Sequence, residues 1–206
     1  MTLQNRVLPT GDIVAIPARG TFTGNRGVLH DDQRRLGTAR WRHKAWIVCA
    51  LHFKDIQRVP MTPNRWTELF FLDEAVALAA GHRPCAYCRR SAYNAYRDAW
   101  ARATGDAPRA PQMDTALHAA RVTRDRRQIR HQAMAHTLPD GTLALWDNAP
   151  HLFQGNAVYR YTPQGYGIAL DRPQGQVDVL TPRPNLAALA AGYAPQLHQS
   201  ATARVS

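Results

Sequence analysis

The sequence predicts an α+β protein, and three features of the chain indicate this fold class. Short segments rich in β-branched and aromatic residues recur within residues 11–71, as is typical of strands. Alanine-rich segments with helical spacing follow within residues 73–135. From residue 138 onward, short apolar segments separated by Gly, Pro and Asn predict a small antiparallel sheet.

These features divide the chain into four predicted parts. The length of 206 residues suits one domain with a small second lobe, and a hydrophobic fraction of 45% is sufficient for a core. The predicted parts are an N-terminal lobe (1–105), a basic connecting helix (106–136), a small β-rich lobe (137–198) and a flexible tail (199–206).

Strands are predicted at several places in the first third of the chain. Residues 11–30 predict a short strand followed by a glycine-rich hairpin. "AWIVCALHF" (45–53) is apolar, β-branched and aromatic throughout, which favours a strand. "IQRVPM" (56–61) and "RWTELFF" (65–71) predict two more strands joined by a "TPN" turn.

The middle of the chain predicts three helices. "DEAVALAAG" begins at Asp73, a suitable N-cap, and ends at Gly81, which suits the position after a helix. A second helix follows over residues 89–105, and a third is predicted over residues 112–135, amphipathic at first and then strongly basic. A fourth, "NLAALAAG" (185–192), precedes the tail.

The charge of the chain favours a polyanionic partner. The formal net charge is +11, and arginine supplies nearly all of the cations, since Lys44 and Lys54 are the only lysines. Nucleic acid is therefore the expected partner, although a general bias of composition towards Ala, Arg and Pro is an alternative origin of the charge. No secretory signal and no apolar run of transmembrane length is visible, so we expect a cytoplasmic protein with reduced thiols and no membrane partner.

The segment "GHRPCAYCRR" contains the motif with the clearest chemistry. Cys85 and Cys88 are separated by two residues, a spacing found in zinc sites and in thioredoxin-like redox centres. The redox alternative needs a βαβ context, which this stretch lacks, so zinc fits better. Cys49 is the only other cysteine, and a fourth ligand must come from the histidines, of which four lie in the same half of the chain: His30, His43, His52 and His82.

Two segments resemble the Ada-type zinc-binding domain and its relatives attached to bacterial nucleases. "FFLDEAVALAAGHRPCAYC" is similar to the second half of that domain, and "GNRGVLH" is similar to an upstream stretch of the nuclease-attached relatives. The resemblance covers roughly residues 20–90. It implies that His30, Cys85 and Cys88 are zinc ligands, while Arg34 stands where the relatives carry a further cysteine. With Cys49 as the replacement, the predicted ligands are His30, Cys49, Cys85 and Cys88.

The resemblance also bears on what the metal does. Ada proteins use a zinc-bound thiolate, the first ligand in the sequence, to accept a methyl group from DNA. The matching position here is His30, and an imidazole cannot serve as that acceptor. A closed set of four ligands also leaves no position for a reactive water. We therefore expect a structural zinc.

A possible catalytic group lies on the predicted third helix. Asp114, His118 and Arg121 are spaced by four and three residues, which places them on one helical face. An acid that orients a histidine beside an arginine could act as a general base on a phosphate. The alternative is an ordinary salt-bridged helix surface.

The arginines and aromatic residues supply candidate contacts to nucleic acid. Among the aromatic residues, Trp41 and Tyr87 are candidates for stacking on bases. The predicted phosphate contacts are Arg26, Arg83, Arg89, Arg90, Arg121, Arg124, Arg127 and Arg130.

The sequence thus favours a zinc-containing protein that binds nucleic acid, DNA in particular, in repair, modification or defence. One alternative is a nuclease or nucleotide-modifying enzyme that uses Asp114, His118 and Arg121. A second is a protein-interaction module whose basic face meets an acidic partner.

Overall fold

The computed structural model describes residues 2–54 and 59–201 and shows the predicted α+β class. No helix in these ranges has the length and apolar character needed to span a membrane. The helices are α1 (Glu74–Ala79), α2 (Arg90–Thr104), α3 (Ala110–Arg121) and α4 (Arg183–Ala190), with short 3-10 helices at Ala135–Thr137 and Gln199–Ala201.

The strands form two six-stranded sheets. The first has the order β2-β1-β5-β3-β4-β6, and the second, antiparallel throughout, has the order β11-β10-β9-β8-β12-β7. The first sheet contains β1 (Arg6–Val7), β2 (Ile13–Val14), β3 (Phe22–Asn25), β4 (Ile47–Ala50), β5 (Leu69–Phe71) and β6 (Arg83–Pro84). The second contains β7 (His131–Met134), β8 (Thr142–Trp146), β9 (Ala149–Gln154), β10 (Ala157–Thr162), β11 (Gly165–Asp171) and β12 (Gln176–Val179).

Helix α1 is the centre of the molecule, and all six of its residues are buried. Its predicted ends are present: Asp73 accepts a hydrogen bond from the Val76 backbone N–H at 2.9 Å, and Gly81 has φ +83°. A Cβ at Gly81 would lie 2.4 Å from the Arg121 side chain, so glycine is required there both by its conformation and by its packing.

One core joins the two sheets and corrects the predicted division into lobes. Apolar side chains of the first sheet, of α1 and of the second sheet form a single buried cluster, exemplified by Phe71, Val76 and Leu152. Residues 1–105 and 137–198 are therefore not separate lobes. The predicted flexible tail also begins with ordered structure, since Ala201 is buried in the same core; residues 202–206 lie outside the described residues.

The third helix is shorter than predicted, and the basic connecting helix over 106–136 is not present as such. Helix α3 ends at Arg121, and Val122 pairs with Gln128 across a tight turn. The Thr123 hydroxyl bonds the Asp125 carboxylate and accepts from the Arg127 backbone N–H, and such local bonds compete with a helix. Closely spaced arginines would also repel one another along a helical face. We call residues 123–130 the arginine turn.

The predicted strand over 56–61 is not found in its described part. Pro60 and Met61 form a turn, Val59 belongs to no regular element, and residues 56–58 lie outside the described residues. The strand predicted over 65–71 is shorter and begins at Leu69.

A buried ion pair fixes α1 against α2 and the C-terminal segment. Arg89 donates to both Glu74 carboxylate oxygens, at 2.6 and 2.8 Å, and both side chains are almost fully buried. Glu74 also accepts from the Tyr193 hydroxyl at 2.6 Å and from the Gln196 backbone N–H at 2.9 Å. The Glu74 carboxylate thus accepts from one charged donor and two neutral ones, and Arg89 is the donor that needs its negative charge.

We predict that Glu74→Gln lowers the free energy of unfolding by about 3–5 kcal/mol, because the Arg89 guanidinium is left buried without its counter-charge. Urea unfolding of the variant and the wild type measures this difference. Asp98→Asn, which removes the exposed Arg97–Asp98 pair, is the control and should leave stability nearly unchanged. Equal midpoints for Glu74→Gln and wild type would contradict the role assigned to this pair.

Candidate metal centre

Three thiols lie together at one edge of the first sheet, although Cys49 is 36 positions before Cys85 in the sequence. The Sγ atoms of Cys49, Cys85 and Cys88 all lie within 4.8 Å of one another and could hold a metal ion. Three sulfurs on a tetrahedral zinc ion lie about 3.8 Å apart, so these positions need only small adjustment to share an ion. We call these three residues the thiol cluster.

Strand pairing brings Cys49 to the two later cysteines. Strands β4 and β6 are parallel neighbours, and the Cys85 backbone N–H donates to the Val48 carbonyl at 3.0 Å. The chain then turns tightly, with the Arg89 N–H bonded to the Cys85 carbonyl at 3.2 Å, and this turn returns Cys88 towards β4. The predicted proximity of Cys49 to the Cys-x-x-Cys pair is therefore present in the structure.

The proximity of the three sulfurs shifts their pKa values in opposite directions. Hydrogen bonds from Cys49 and Cys88 lower the pKa of the Cys85 thiol far below its usual range. The Cys49 pKa is raised, chiefly by its hydrogen bond to Cys85. The Tyr87 backbone N–H donates to the Cys85 sulfur at 3.4 Å. Such an arrangement favours thiolate at Cys85, the form that binds metal.

His30, the fourth predicted ligand, does not lie in the thiol cluster. Its Nδ1 is 2.7 Å from the Thr67 hydroxyl, and its Nε2 is 3.2 Å from the Thr62 carbonyl. Both ring nitrogens are thus engaged in the loop that precedes β5. The structure gives His30 a structural role in that loop.

A cavity of about 650 Å³ borders the thiol cluster. Among the described residues that line it, His52 is the only histidine; it is exposed and lies three positions after Cys49. Tyr87 is exposed in the same wall, where its hydroxyl accepts from Lys54 Nζ at 3.0 Å. Among the described residues, the group of mutually close ligand atoms contains only the three cysteines, so His52 does not belong to it in this structure. Its Cys-x-x-His spacing from Cys49 makes it a candidate for a fourth ligand.

The predicted catalytic group is not assembled. Arg83 donates to both carboxylate oxygens of Asp114, at 2.7 and 2.8 Å, so this carboxylate does not orient His118. His118 Nδ1 instead lies 3.1 Å from an Arg121 nitrogen. Burial, followed by the charges of Arg121 and Lys44, lowers the His118 pKa. The predicted pairing of Asp114 with His118 is therefore absent, because Asp114 is paired with Arg83.

The predicted phosphate contacts fall into two groups. Four of them are buried, namely Arg26, Arg83, Arg89 and Arg121. Of these, Arg83 and Arg89 are also paired with carboxylates, so they are not available to contact phosphate. Arg90, Arg124, Arg127 and Arg130 are exposed.

Comparison with known proteins yields no assignment. No protein-family model matches the chain, and neither a curated protein nor a solved structure matches it.

We predict that purified protein carries one metal ion per chain and that Cys49→Ala loses it, because the variant keeps only two of the three sulfur ligands. Elemental analysis of the dialysed protein measures the metal content. His30→Ala is the matched control and should retain the metal. Full metal content in Cys49→Ala would contradict the thiol cluster as the binding site.

Proposed function

We propose that this protein binds nucleic acid, with DNA as the favoured form, through the arginine turn, and that the thiol cluster holds a structural zinc ion. The observation that carries the proposal is the exposure of the arginine turn in a chain of net charge +11. Arg124, Arg126, Arg127 and Arg130 are all exposed there, and the single ion pair within the turn, Arg127 with Asp125, is itself solvent-accessible.

Exposed arginines of this kind suit the phosphate backbone. Guanidinium groups donate two parallel hydrogen bonds to a phosphate, and release of counterions on binding strengthens the association at low salt. An exposed ion pair such as Arg127–Asp125 contributes little to stability, so it can be exchanged for a phosphate contact at small cost.

The choice of zinc follows from the donor atoms. Thiolates are soft ligands that select zinc, Cu(I) or iron–sulfur clusters, and a Cys-x-x-Cys turn with a third cysteine is typical of structural zinc. His52, in the wall of the adjoining cavity, supplies the fourth ligand in this proposal. The resemblance to Ada-type domains stays a prediction: of the ligands that it implies, Cys85 and Cys88 lie in the thiol cluster and His30 does not.

The zinc ion would act at a distance on the arginine turn. Cys85 directly follows β6, and Arg83 of β6 forms the buried bidentate pair with Asp114 of α3. Helix α3 ends where the arginine turn begins. By holding β6 against β4, the zinc ion would also hold α3, and with it the position at which the arginine turn begins.

We predict that mixed-sequence duplex DNA binds with an affinity that falls steeply with salt, and that the triple variant Arg124→Gln/Arg127→Gln/Arg130→Gln reduces both affinity and salt dependence. The slope of log affinity against log salt should shrink by about 0.9 for each phosphate that the variant no longer neutralises. Fluorescence anisotropy with labelled duplex at several salt concentrations gives both quantities.

The control for this experiment removes equal charge elsewhere. Arg19→Gln/Arg65→Gln/Arg160→Gln neutralises three exposed arginines outside the arginine turn. We expect this variant to bind nearly as well as the wild type. An equal loss of affinity in both triple variants would show that net charge alone drives binding, and undetectable binding by the wild type at low salt would refute the proposal.

A further inference from the structure

A second cavity, of about 480 Å³, lies on the opposite side of β4 from the thiol cluster, and arginine dominates its lining. Asp12 is the only acidic residue among the described residues that line it. The lining arginines are Arg26, Arg40, Arg121, Arg126, Arg127 and Arg130. We call this space the arginine cavity.

Two of these arginines enclose a tryptophan ring deep in the protein. The guanidinium carbons of Arg26 and Arg121 lie 3.9 and 3.8 Å from the Trp46 ring centroid, and the two arginines are only 2% and 1% exposed. Stacking on an aromatic face lowers the cost of burying a guanidinium but does not neutralise its charge.

The hydrogen-bond partners of these two arginines carry no negative charge. Arg26 donates to the Gly11 carbonyl at 3.1 Å and to His82 Nε2 at 3.3 Å. Arg121 donates to the carbonyls of Gly81 and Lys44, both at 2.7 Å. Within the described chain no carboxylate lies within 4.0 Å of either guanidinium.

Both groups also keep a buried nitrogen without a partner, Nη2 of Arg26 and Nε of Arg121. Burial lowers the pKa of each to about 9, with nearby arginines adding to the effect and Asp12 or Asp114 opposing it. At neutral pH both guanidinium groups remain charged. Neither of these two buried cations forms an ion pair with a carboxylate of the described residues.

Two other buried arginines of the same chain have carboxylate partners. Arg83 and Arg89 are each held by a buried carboxylate through two short hydrogen bonds. A buried arginine that does not line the arginine cavity therefore has an acidic partner in these two cases. At the arginine cavity, which is open to a ligand, no carboxylate of the described residues forms an ion pair with Arg26 or Arg121, although Asp12 lies in the lining.

We propose that the arginine cavity binds a phosphate monoester, either the terminal phosphate of a nucleic acid strand or that of a free mononucleotide. A phosphate monoester carries a charge of about −1.5 to −2 at neutral pH, which matches the two uncompensated cations, whereas an internal phosphodiester carries one negative charge. The strand as the source of the phosphate rests on the proposed function.

The shape and the aromatic lining of the cavity favour a ligand larger than phosphate alone. Its volume lies within the range typical of small-molecule sites. Trp41 lines the cavity, is half-buried, and has its ring 5.7 Å from that of Trp46. A base or sugar attached to the bound phosphate can pack on Trp41.

The experiment compares labelled oligonucleotides of one sequence that carry a 5′-phosphate, a 3′-phosphate or only hydroxyl ends, together with AMP and inorganic phosphate. Anisotropy gives the affinities for the oligonucleotides, and calorimetry and thermal unfolding report the small ligands. We expect one terminal phosphate to strengthen oligonucleotide binding about tenfold or more, as charge-assisted hydrogen bonds do. AMP should raise the unfolding temperature in proportion to its occupancy.

Two double variants with equal loss of charge provide the control. Arg40→Gln/Arg130→Gln removes arginines from the cavity lining without touching the buried pair, and it should abolish the preference for a terminal phosphate. Arg90→Gln/Arg124→Gln removes exposed arginines that do not line the cavity, and it should keep that preference. Thermal unfolding without ligand verifies that both variants are folded.

The outcomes separate this inference from the proposed function. Equal affinity for all oligonucleotides, with no effect of AMP, overturns the phosphate site and leaves nucleic acid binding intact. Binding of AMP with no binding of any oligonucleotide supports the site with the mononucleotide as its ligand and refutes the proposed function. No binding of any of these probes refutes both.

Discussion

The alternation of side chains along β4 is the constraint on which both candidate sites depend. The Cys49 side chain lines the cavity that borders the thiol cluster, and its sulfur lies within 4.8 Å of the sulfurs of Cys85 and Cys88. Trp46, immediately before β4, and Val48 are buried on the other face, where Trp46 lies between Arg26 and Arg121. A slip of one residue in the pairing of β4 would exchange the two faces and remove the metal ligand and the aromatic platform together.

The buried arginines occur in two environments, one with and one without a carboxylate partner. Arg83 and Arg89 are neutralised by acids and join β6, α1, α2 and α3 into one body. Arg26 and Arg121 stack on Trp46 without an acid. Unpaired buried charge is costly. The phosphate proposed for the arginine cavity would supply the missing negative charge. Binding of a phosphate monoester would therefore stabilise the arginine cavity.

Much of the fold follows from local sequence signals, whereas the site depends on long-range packing. The limits of α1, the glycine that ends α2 and the C-terminal strands are all visible in the sequence, and Cys49 is the only thiol available to join the pair. The end of α3 is also marked, by Val122, Thr123 and Asp125, although the helical spacing before them obscures it. The engagement of His30 with Thr67 and the burial of Arg121 have no such signal, because each depends on segments far away in the chain.

The most direct test of the account is X-ray absorption at the zinc edge of the purified wild-type protein, because it reports the atoms around the metal without relying on a variant. The account predicts three sulfur atoms at about 2.3 Å and one nitrogen or oxygen at about 2.0–2.1 Å. A shell of nitrogen and oxygen alone, or one with only two sulfurs, would show that β4 does not contribute Cys49 to the metal and would contradict the arrangement described above.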